Sequence, residues 1–351
     1  MSRRRWLVLL LSFAATIGVT AYILSKGLSR PGPHPSLPWW AHLAALTIVC
    51  LEIATRSVKI HWSAAALRIP LRFGTSLRVC LAGDFAASIT PARSGAEPAR
   101  FFVLAKDGVA PAPSVLILFA ELLLETWSLA ALCIVFLFAF HDAGKVLGLM
   151  TGMIGGYAVL VLSAGAVGYA LARTHAKGPP PSWALAVGLH AGRWRAVQRA
   201  LRSLRLNVLA LRHAAIGPAV AAFIASLVHV GLRLAVLPVI ALALDPNLPL
   251  ASLVLWPLVL LYGGAVAPAP GGGGAIEFGF QFAYESTMAP AVLGGALLWW
   301  RFYSFYLYIL LGGLSVGGTV LKALRTQRHG RLHEHAAQHA AQHADHPTGP
   351  A

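Results

Sequence analysis

Long apolar runs set the strongest limit on what this chain can fold into. Each is close to or longer than the roughly 20 residues that a helix needs to cross a bilayer. The runs lie at residues 6–24, 39–58, 113–140, 146–172, 216–243 and 290–321. Only 11% of the residues are charged, whereas a soluble domain has about 25%. The sequence therefore excludes an ordinary soluble globule and predicts an all-α, polytopic integral membrane protein with about six spans.

Two further apolar runs, at residues 75–105 and 248–288, are interrupted near their centres by Pro and Gly. Neither can form one straight helix, so we predict two re-entrant hairpins, each a short helix, a break and a second short helix. In both breaks a Pro is followed by a Gly four residues later and then by a Glu, Glu97 or Glu277. The hairpins would enter from opposite faces, which predicts an inverted repeat and a transport site. The alternative is that these clusters mark ordinary loops.

Positive charge lies at the ends of the apolar runs and gives the formal net charge of +16. Suppose that the basic residues of 3–5, 59–72, 173–213 and 322–331 lie on one side of the membrane. Of the basic residues at the ends of the runs, only Lys26, Arg30 and Lys145 are then left on the other side. This asymmetry follows the positive-inside rule, and it predicts cytoplasmic N- and C-termini. The basicity then reflects topology and contact with anionic headgroups, and we expect no nucleic-acid partner.

Most of the acidic residues lie inside the apolar segments, where burying a charge in the membrane costs the most free energy. Seven of the twelve fall inside apolar runs or hairpins: Glu52, Asp84, Glu97, Glu121, Glu125, Glu277 and Glu285. Ionisable groups in a membrane face the protein interior and often mark a substrate pathway. Intramembrane cations are available as partners: Arg56, Arg93, Arg100, Arg233 and Arg301. Two interpretations stay open, since such pairs can fix helix packing, as for Glu52 with Arg56, or line a transport site at the breaks.

The two Pro/Gly/Glu motifs, the Glu121-bearing span and Arg301 together resemble the flippase-like transmembrane domain family. This is the membrane region of lysylphosphatidylglycerol synthases, also found in stand-alone proteins. The resemblance covers residues 5–325 and implies an integral inner-membrane domain that moves lipids or lipid-linked molecules between leaflets. The sequence departs from the family pattern at three positions. The family usually has Gly after the first Pro, where this chain has Ala92, and a hydrophobic residue before Gly95, where this chain has Ser94. In addition, Pro98 follows Glu97 directly.

We expect one flippase-like transmembrane domain over 1–325, with a first repeat at about 1–140 and a second at 216–325. Between them, 173–213 is a basic cytoplasmic linker whose arginines alternate with apolar residues, as in an amphipathic helix on a membrane surface. Residues 326–351 form a His-rich, disordered cytoplasmic tail. We predict no metal site and no cofactor, and the first run is a retained anchor rather than a cleaved signal.

The predicted function is a flippase or transporter for a membrane phospholipid or a polyprenyl-linked lipid, not an enzyme. No Walker motif is present, and lysyl transfer is not expected. Arg93, Arg100 and Arg301 would bind the lipid phosphate. Glu97 and Glu277 would balance these arginines when the site is empty, or bind a coupling proton or a cationic headgroup. Gly95 and Gly274 belong to the predicted site as residues of the two breaks. The supporting intramembrane charges are Asp84, Glu121, Glu125 and Arg233.

Two other classes of function remain open. The first is a membrane-embedded transferase that uses a lipid-linked donor. Its candidate acids are Asp84, Glu97 and Asp107, which lack the spacing of a metal-binding acidic pair. The second is a non-catalytic partner of a lipid-modifying enzyme.

Overall fold

The computed structural model describes residues 36–90, 92–173, 179–186, 190–210, 214–264, 269 and 272–315, with a few isolated positions before residue 36. These residues form helices and contain no strand, so the all-α prediction is confirmed for them. The helices are α1 (Trp39–Ala66), α2 (Phe73–Ile89), α3 (Ala96–Lys106), α4 (Pro111–Ala139), α5 (Gly144–Arg173), α6 (Ser182–Ala186), α7 (Ala191–Ala210), α8 (Ile216–Leu244), α9 (Leu250–Gly263), α10 (Ala275–Tyr284) and α11 (Pro290–Arg301). The predicted tail 326–351 and nearly all of the run 6–24 lie outside the described residues.

Within the described part of the chain, three helices are long and apolar enough to cross a membrane: α4, the 144–170 part of α5, and α8. They coincide with the predicted runs 113–140, 146–172 and 216–243. Helix α1 has 28 residues and runs past the predicted end at 58, but its inner face carries Glu52, Arg56 and Lys59. The last run begins as α11, continues through a π-helical segment at Phe302–Tyr306 and stays helical to residue 315. The chain is a polytopic membrane protein, and six spans remain a prediction.

Both predicted hairpins are broken helices. Helices α2 and α3 are separated at residues 90–95, and α9 and α10 are separated between residues 264 and 274. Phe73–Ile89 and Leu250–Gly263 are the longer arms, with 17 and 14 residues. The breaks fall at the Pro and Gly clusters because Pro removes a backbone donor and Gly tolerates turns closed to other residues.

Helices α1 and α8 form the centre of the molecule and run antiparallel. Glu52 contacts His229 near the middle of both helices, and the Ala215 N–H donates to the Ala66 carbonyl where α1 ends and α8 begins. Buried small residues such as Ala45 and Ala241 belong to the main apolar core that both helices share. Small side chains allow close approach of membrane helices, which have little hydrophobic drive to associate.

Two groups of helices repeat the same order. Helices α1, α2, α3 and α4 begin at residues 39, 73, 96 and 111, and α8, α9, α10 and α11 begin 177, 177, 179 and 179 residues later. In each group a long helix is followed by a broken hairpin and then by another long helical segment. The hairpins are thereby placed beside the paired helices α1 and α8, with which they share the main core.

The basic linker contains α7, which contacts α4 and α5. Trp194 on α7 is buried, whereas Arg195, Arg199 and Arg202 are exposed. At these positions α7 is amphipathic, with the arginines on its outer face.

Candidate functional site

Helix α1 contributes a row of buried charges, because Glu52, Arg56 and Lys59 are spaced three and four residues apart and share one face. The Arg56 guanidinium lies 3.6 Å from Glu52, donates to the Asp84 carboxylate on α2 and donates from Nε to the Cys80 sulfur at 2.9 Å. The predicted Glu52–Arg56 pair is therefore present. It forms part of a wider network that links α1 to the first hairpin.

Glu52 is also shared with the second half of the chain. His229 Nε2 on α8 lies 3.3 Å from Glu52 Oε1, and the Tyr308 hydroxyl donates to Glu52 Oε2 at 2.8 Å. The carboxylate is 1% exposed. A buried carboxylate is tolerated when hydrogen bonds and an opposite charge replace its water, and here the replacements come from three separate helical segments.

Lys59 is fully buried between two carboxylates of α4. Its Nζ lies 3.5 Å from Glu121 and 3.3 Å from Glu125. The Tyr262 hydroxyl donates to Glu125 at 2.9 Å. Glu121 and Glu125 share one inward face, as predicted. Lys59, which we expected at the cytoplasmic edge of the second run, instead lies inside the protein, because α1 continues for two further turns and carries it to α4.

The first hairpin is held to α4 through Arg100. Its Nη1 lies 3.1 Å from Glu121 and 3.2 Å from Glu97. The Glu97 side chain is 46% exposed, so it faces open space on its other side. Gly83 gives the Arg100 side chain room, because a Cβ at residue 83 would lie 2.3 Å from Arg100 Nε. Arg100 is thus neutralised by two acids of the protein itself.

The turn of the first hairpin is closed by the backbone and by Thr90. The Gly95 N–H donates to Thr90 Oγ1 at 2.8 Å, and a Cβ at Gly95 would lie 2.8 Å from Thr90. Gly95 is therefore required for close approach. Ala92 and Arg93 have left-handed backbones, with φ of 49° and 55°, although residues with a Cβ seldom adopt this conformation.

The second hairpin is closed by Glu277, which is fully buried. Its Oε2 accepts a hydrogen bond from the Gly274 N–H at 2.7 Å, and its Oε1 lies 2.8 Å from Arg301 Nε. Gly274 has φ of 83°, which explains the requirement for glycine there. The Arg301 guanidinium also lies 4.3 Å from the centre of the Phe305 ring, a favourable cation–π contact.

Two neighbouring chambers lie where the hairpins approach α8. One, of about 40 Å³, is lined by Asp84, Ser88, Arg301 and Ser304, among others. The other, of about 180 Å³, is lined by Glu97, Arg100, Glu125, Tyr157 and Tyr262, among others. Both share Arg93, Arg233 and Leu261. We call these two spaces together the central cavity.

Arg93 and Arg233 differ from the other charged residues of the central cavity. Both are partly exposed to it, and neither makes an ion pair or a hydrogen bond with another residue in the described part of the chain. Arg93 comes from the break of the first hairpin and Arg233 from the middle of α8. The central cavity therefore presents two guanidinium groups whose donors are open to a ligand.

A family model described as the lysylphosphatidylglycerol synthase TM region matches residues 9–312. The chain belongs to this family. The match spans both hairpins, all the buried ion pairs and the central cavity. The lysylphosphatidylglycerol synthase TM region is a membrane domain linked to lipid modification or flipping. Among curated proteins, no significant match to the chain is found.

In this member of the lysylphosphatidylglycerol synthase TM family, some of the predicted site residues line the central cavity and others lie behind it. Asp84, Arg93, Glu97, Arg100, Glu125, Arg233 and Arg301 line the central cavity. Glu121 and Glu277 lie behind it as buried partners of Arg100 and Arg301, and Gly95 and Gly274 shape the two breaks. Of the three acids considered for a transferase, Asp107 is apart from the other two, since it accepts hydrogen bonds from Thr75 and Arg78.

Sequence reasoning missed Lys59, Tyr262 and Tyr308 as parts of the charged network, and it gave Arg233 only a supporting place. The spacing of Glu52, Arg56 and Lys59 on one helix face was the available signal for Lys59. For Arg233 the signal was its position one turn after His229 in an otherwise apolar helix. Nothing in the sequence marks which tyrosines reach the carboxylates.

Proposed function

We propose that this protein moves a lipid or lipid-linked molecule with an anionic, phosphate-bearing headgroup between the leaflets of the cell inner membrane. The observation that carries the proposal is the pair Arg93 and Arg233, which line the central cavity and form no ion pair with a described residue. Arginine is well suited to this task because its planar guanidinium binds phosphate through two parallel hydrogen bonds.

The energetic argument rests on the cost of arginine inside a membrane. A charged side chain there costs several kcal/mol unless it is paired or hydrated. Arg56, Arg100 and Arg301 are paired with buried acids, so the protein already meets that cost for its fixed charges. A phosphate between Arg93 and Arg233 would offset the cost of burying these two arginines. When the cavity holds only water, Glu97 would balance their charge.

This assignment changes the predicted division of roles among the arginines. Arg100 and Arg301 are engaged by Glu121 and Glu277, so we assign them to positioning of the hairpins. Arg93 stays a phosphate ligand, and Arg233 takes the place that sequence reasoning gave to Arg100. Gly95 and Gly274 form the turns that bring the hairpin breaks to the cavity.

We also propose that the two groups of helices form an inverted repeat. Three observations support it: the shared order of elements, their offsets of 177 to 179 residues, and the antiparallel packing of α1 with α8. The contact between Glu52 and His229 joins positions that are themselves 177 residues apart, as expected on a two-fold axis. With six spans and cytoplasmic termini, rocking of one half against the other would open the cavity to each leaflet in turn.

The test is reconstitution of the purified protein into liposomes with fluorescent phosphatidylglycerol, phosphatidylcholine, lysyl-phosphatidylglycerol or a polyprenyl phosphate. Loss of the probe from the outer leaflet is measured over time. We expect faster translocation of one anionic class, with at least a tenfold loss of rate in Arg93→Gln and Arg233→Gln, since each removes a charge-assisted contact of about 1.5–3 kcal/mol.

The matched control is Arg195→Gln on the exposed face of α7, which removes the same charge outside the cavity and should retain the full rate. All variants must show the thermal stability of the parent. No translocation of any lipid by folded protein would overturn the transporter proposal and favour a partner of a lipid-modifying enzyme. Translocation that is unaffected in Arg93→Gln and Arg233→Gln would overturn the assigned site.

A further inference from the structure

A second cavity, of about 950 Å³, lies at the junction of α1 with the first hairpin. It is formed by the end of α1, the connection 67–72, the start of α2 and the end of α3. It shares no lining residue with the central cavity. We call it the junction cavity. Its size falls at the upper end of the roughly 300–1,000 Å³ range of small-molecule sites.

The junction cavity is strongly basic. Its lining includes Arg68, Arg72, Arg78 and Lys106, against a single acid, Asp107. That acid is occupied, because Arg78 lies 2.8 Å from its Oδ2 and the Thr75 hydroxyl donates to the same oxygen. Arg68, Arg72 and Lys106 therefore make no ion pair with another described residue, and their positive charges are directed to one concave surface.

The backbone at Arg68 adds an independent observation. Helix α1 ends in a Schellman motif, in which the Ile69 N–H donates to the Ala64 carbonyl and Arg68 adopts a φ of 57°. Glycine is usual at this position because a Cβ is strained there. The chain thus places a long cationic side chain where backbone stability alone favours glycine, as strained residues at ligand sites do.

The remaining walls define the chemistry of the ligand. Helix α2, of 17 residues, begins after Arg72, so its N-terminal dipole adds to the positive potential of the cavity. The lining also includes apolar residues, among them Ile69, Pro70 and Val109. A ligand with two or more negative charges close together would contact the three free cations, and an apolar attachment would contact these apolar residues.

We infer that the junction cavity is a second binding site, for a phosphomonoester or a diphosphate. Either group carries two or more negative charges close together and can therefore contact Arg68, Arg72 and Lys106 at once. A soluble phosphate compound and a lipid with a terminal phosphate present the same chemistry, and the experiment below separates them. The inference does not depend on the function proposed for the central cavity.

The first arm of the experiment is isothermal titration calorimetry of the full chain in a nonionic detergent, with sodium pyrophosphate as the probe. Arg68→Gly, Arg72→Gln and Lys106→Gln should each weaken binding about tenfold, the value expected for one charge-assisted contact. Arg68→Gly should also leave the melting temperature equal or higher, because glycine relieves the strained backbone. A purely structural role for Arg68 predicts unchanged affinity.

The second arm is native mass spectrometry with phosphatidic acid, which has a terminal phosphate, and with phosphatidylcholine as the zwitterionic comparison. Selective phosphatidic acid adducts that disappear in Arg72→Gln identify a lipid ligand, whereas binding of pyrophosphate alone identifies a soluble one. Both results support the site.

Two variants locate the binding. Arg195→Gln, on the exposed face of α7, is the neutral control and should leave the pyrophosphate affinity unchanged. Arg233→Gln reports any binding in the central cavity, and the binding that is weakened in Arg68→Gly, Arg72→Gln and Lys106→Gln should persist in it. Binding of neither probe would overturn the inference. So would binding that is lost in Arg233→Gln and retained in Arg68→Gly, Arg72→Gln and Lys106→Gln, because the anion would then occupy the central cavity.

Discussion

The two hairpins have the same construction and opposite charge arrangements. In the first, the hairpin carries the cation: Arg100 pairs with Glu121 on the following helix, α4. In the second, the hairpin carries the anion: Glu277 pairs with Arg301 on the following helix, α11. Each hairpin is thus attached to the following helix by a buried ion pair. The architecture requires the pair, but either the hairpin or the helix can carry the positive charge.

The hairpins also differ in what their breaks face. Glu277 is fully buried and joins the Gly274 turn to Arg301, so the second break is closed by one side chain. In the first break, Glu97 is 46% exposed and Arg93 has no acidic partner among the described residues. At the described residues, the second break is therefore closed by a buried side chain, whereas the first presents the partly exposed Arg93 and Glu97 to the central cavity.

The largest expected effect comes from opening the closed break. Glu277→Gln leaves the Arg301 guanidinium buried without a counter-charge, and loss of one partner of a buried pair costs about 3–5 kcal/mol. The free energy of unfolding should fall by that amount, measured by equilibrium denaturation of the purified protein in detergent micelles.

The matched variant in the first hairpin is Glu97→Gln. Because Glu97 is half exposed and Glu121 still neutralises Arg100, we expect a loss of less than about 1 kcal/mol, as for surface pairs. Equal losses in the two variants would contradict the contrast between a closed and an open break. Glu285→Gln, at the exposed end of the second hairpin, reports any general effect of removing a carboxylate.

A smaller effect is expected from the glycines of the second break. Gly272 has φ of 70°, and a Cβ there would lie 2.8 Å from the Gly264 carbonyl oxygen. Gly272→Ala should therefore destabilise the protein by about 1–3 kcal/mol, the usual cost of a strained backbone residue. Thermal unfolding in detergent measures it.

The control is Gly217→Ala near the start of α8, where a Cβ would meet no atom within 4 Å. That variant should be neutral or stabilising, since alanine is the better helix former. A melting temperature for Gly272→Ala equal to that of Gly217→Ala would contradict a tight second break.

The difference between the hairpins also shows what the sequence could and could not predict. The two breaks were predictable because Pro and Gly act locally, and α4, α5 and α8 were predictable from the length of their apolar runs. The inward face of Glu121 and Glu125 followed from their spacing on one helix. Each of these inferences needs only residues that are close in the chain.

The choice of partners was not predictable, because it depends on packing between distant segments. Lys59 lies at the end of an apolar run, where a lysine can either reach toward the headgroups or turn inward, and both give the same sequence pattern. Only the contact of α1 with α4 decides that Lys59 pairs with Glu121 and Glu125. Likewise, only the packing of α3 against α4 decides that Arg100 pairs with Glu121, 21 residues away in the chain.

The smallest expected effect tests the departure of the first break from the family pattern. Ala92 stands where the motif that the sequence resembles usually has Gly, and its φ of 49° lies in the left-handed region, where a Cβ costs roughly 1–2 kcal/mol. Ala92→Gly removes that strain but adds freedom to the unfolded chain worth about 0.5–1 kcal/mol. The net expectation is a stabilisation of between 0 and about 1 kcal/mol. Thermal unfolding measures it. The comparison variant is Ala99→Gly, which lies within α3 and should destabilise the protein by about 1 kcal/mol. If both variants destabilise equally, the left-handed turn at residue 92 is refuted. If Ala92→Gly stabilises the protein, the first break is held in a strained turn that leaves Arg93 at the central cavity, whereas the described left-handed residues of the second break, Gly272 and Gly274, are glycines.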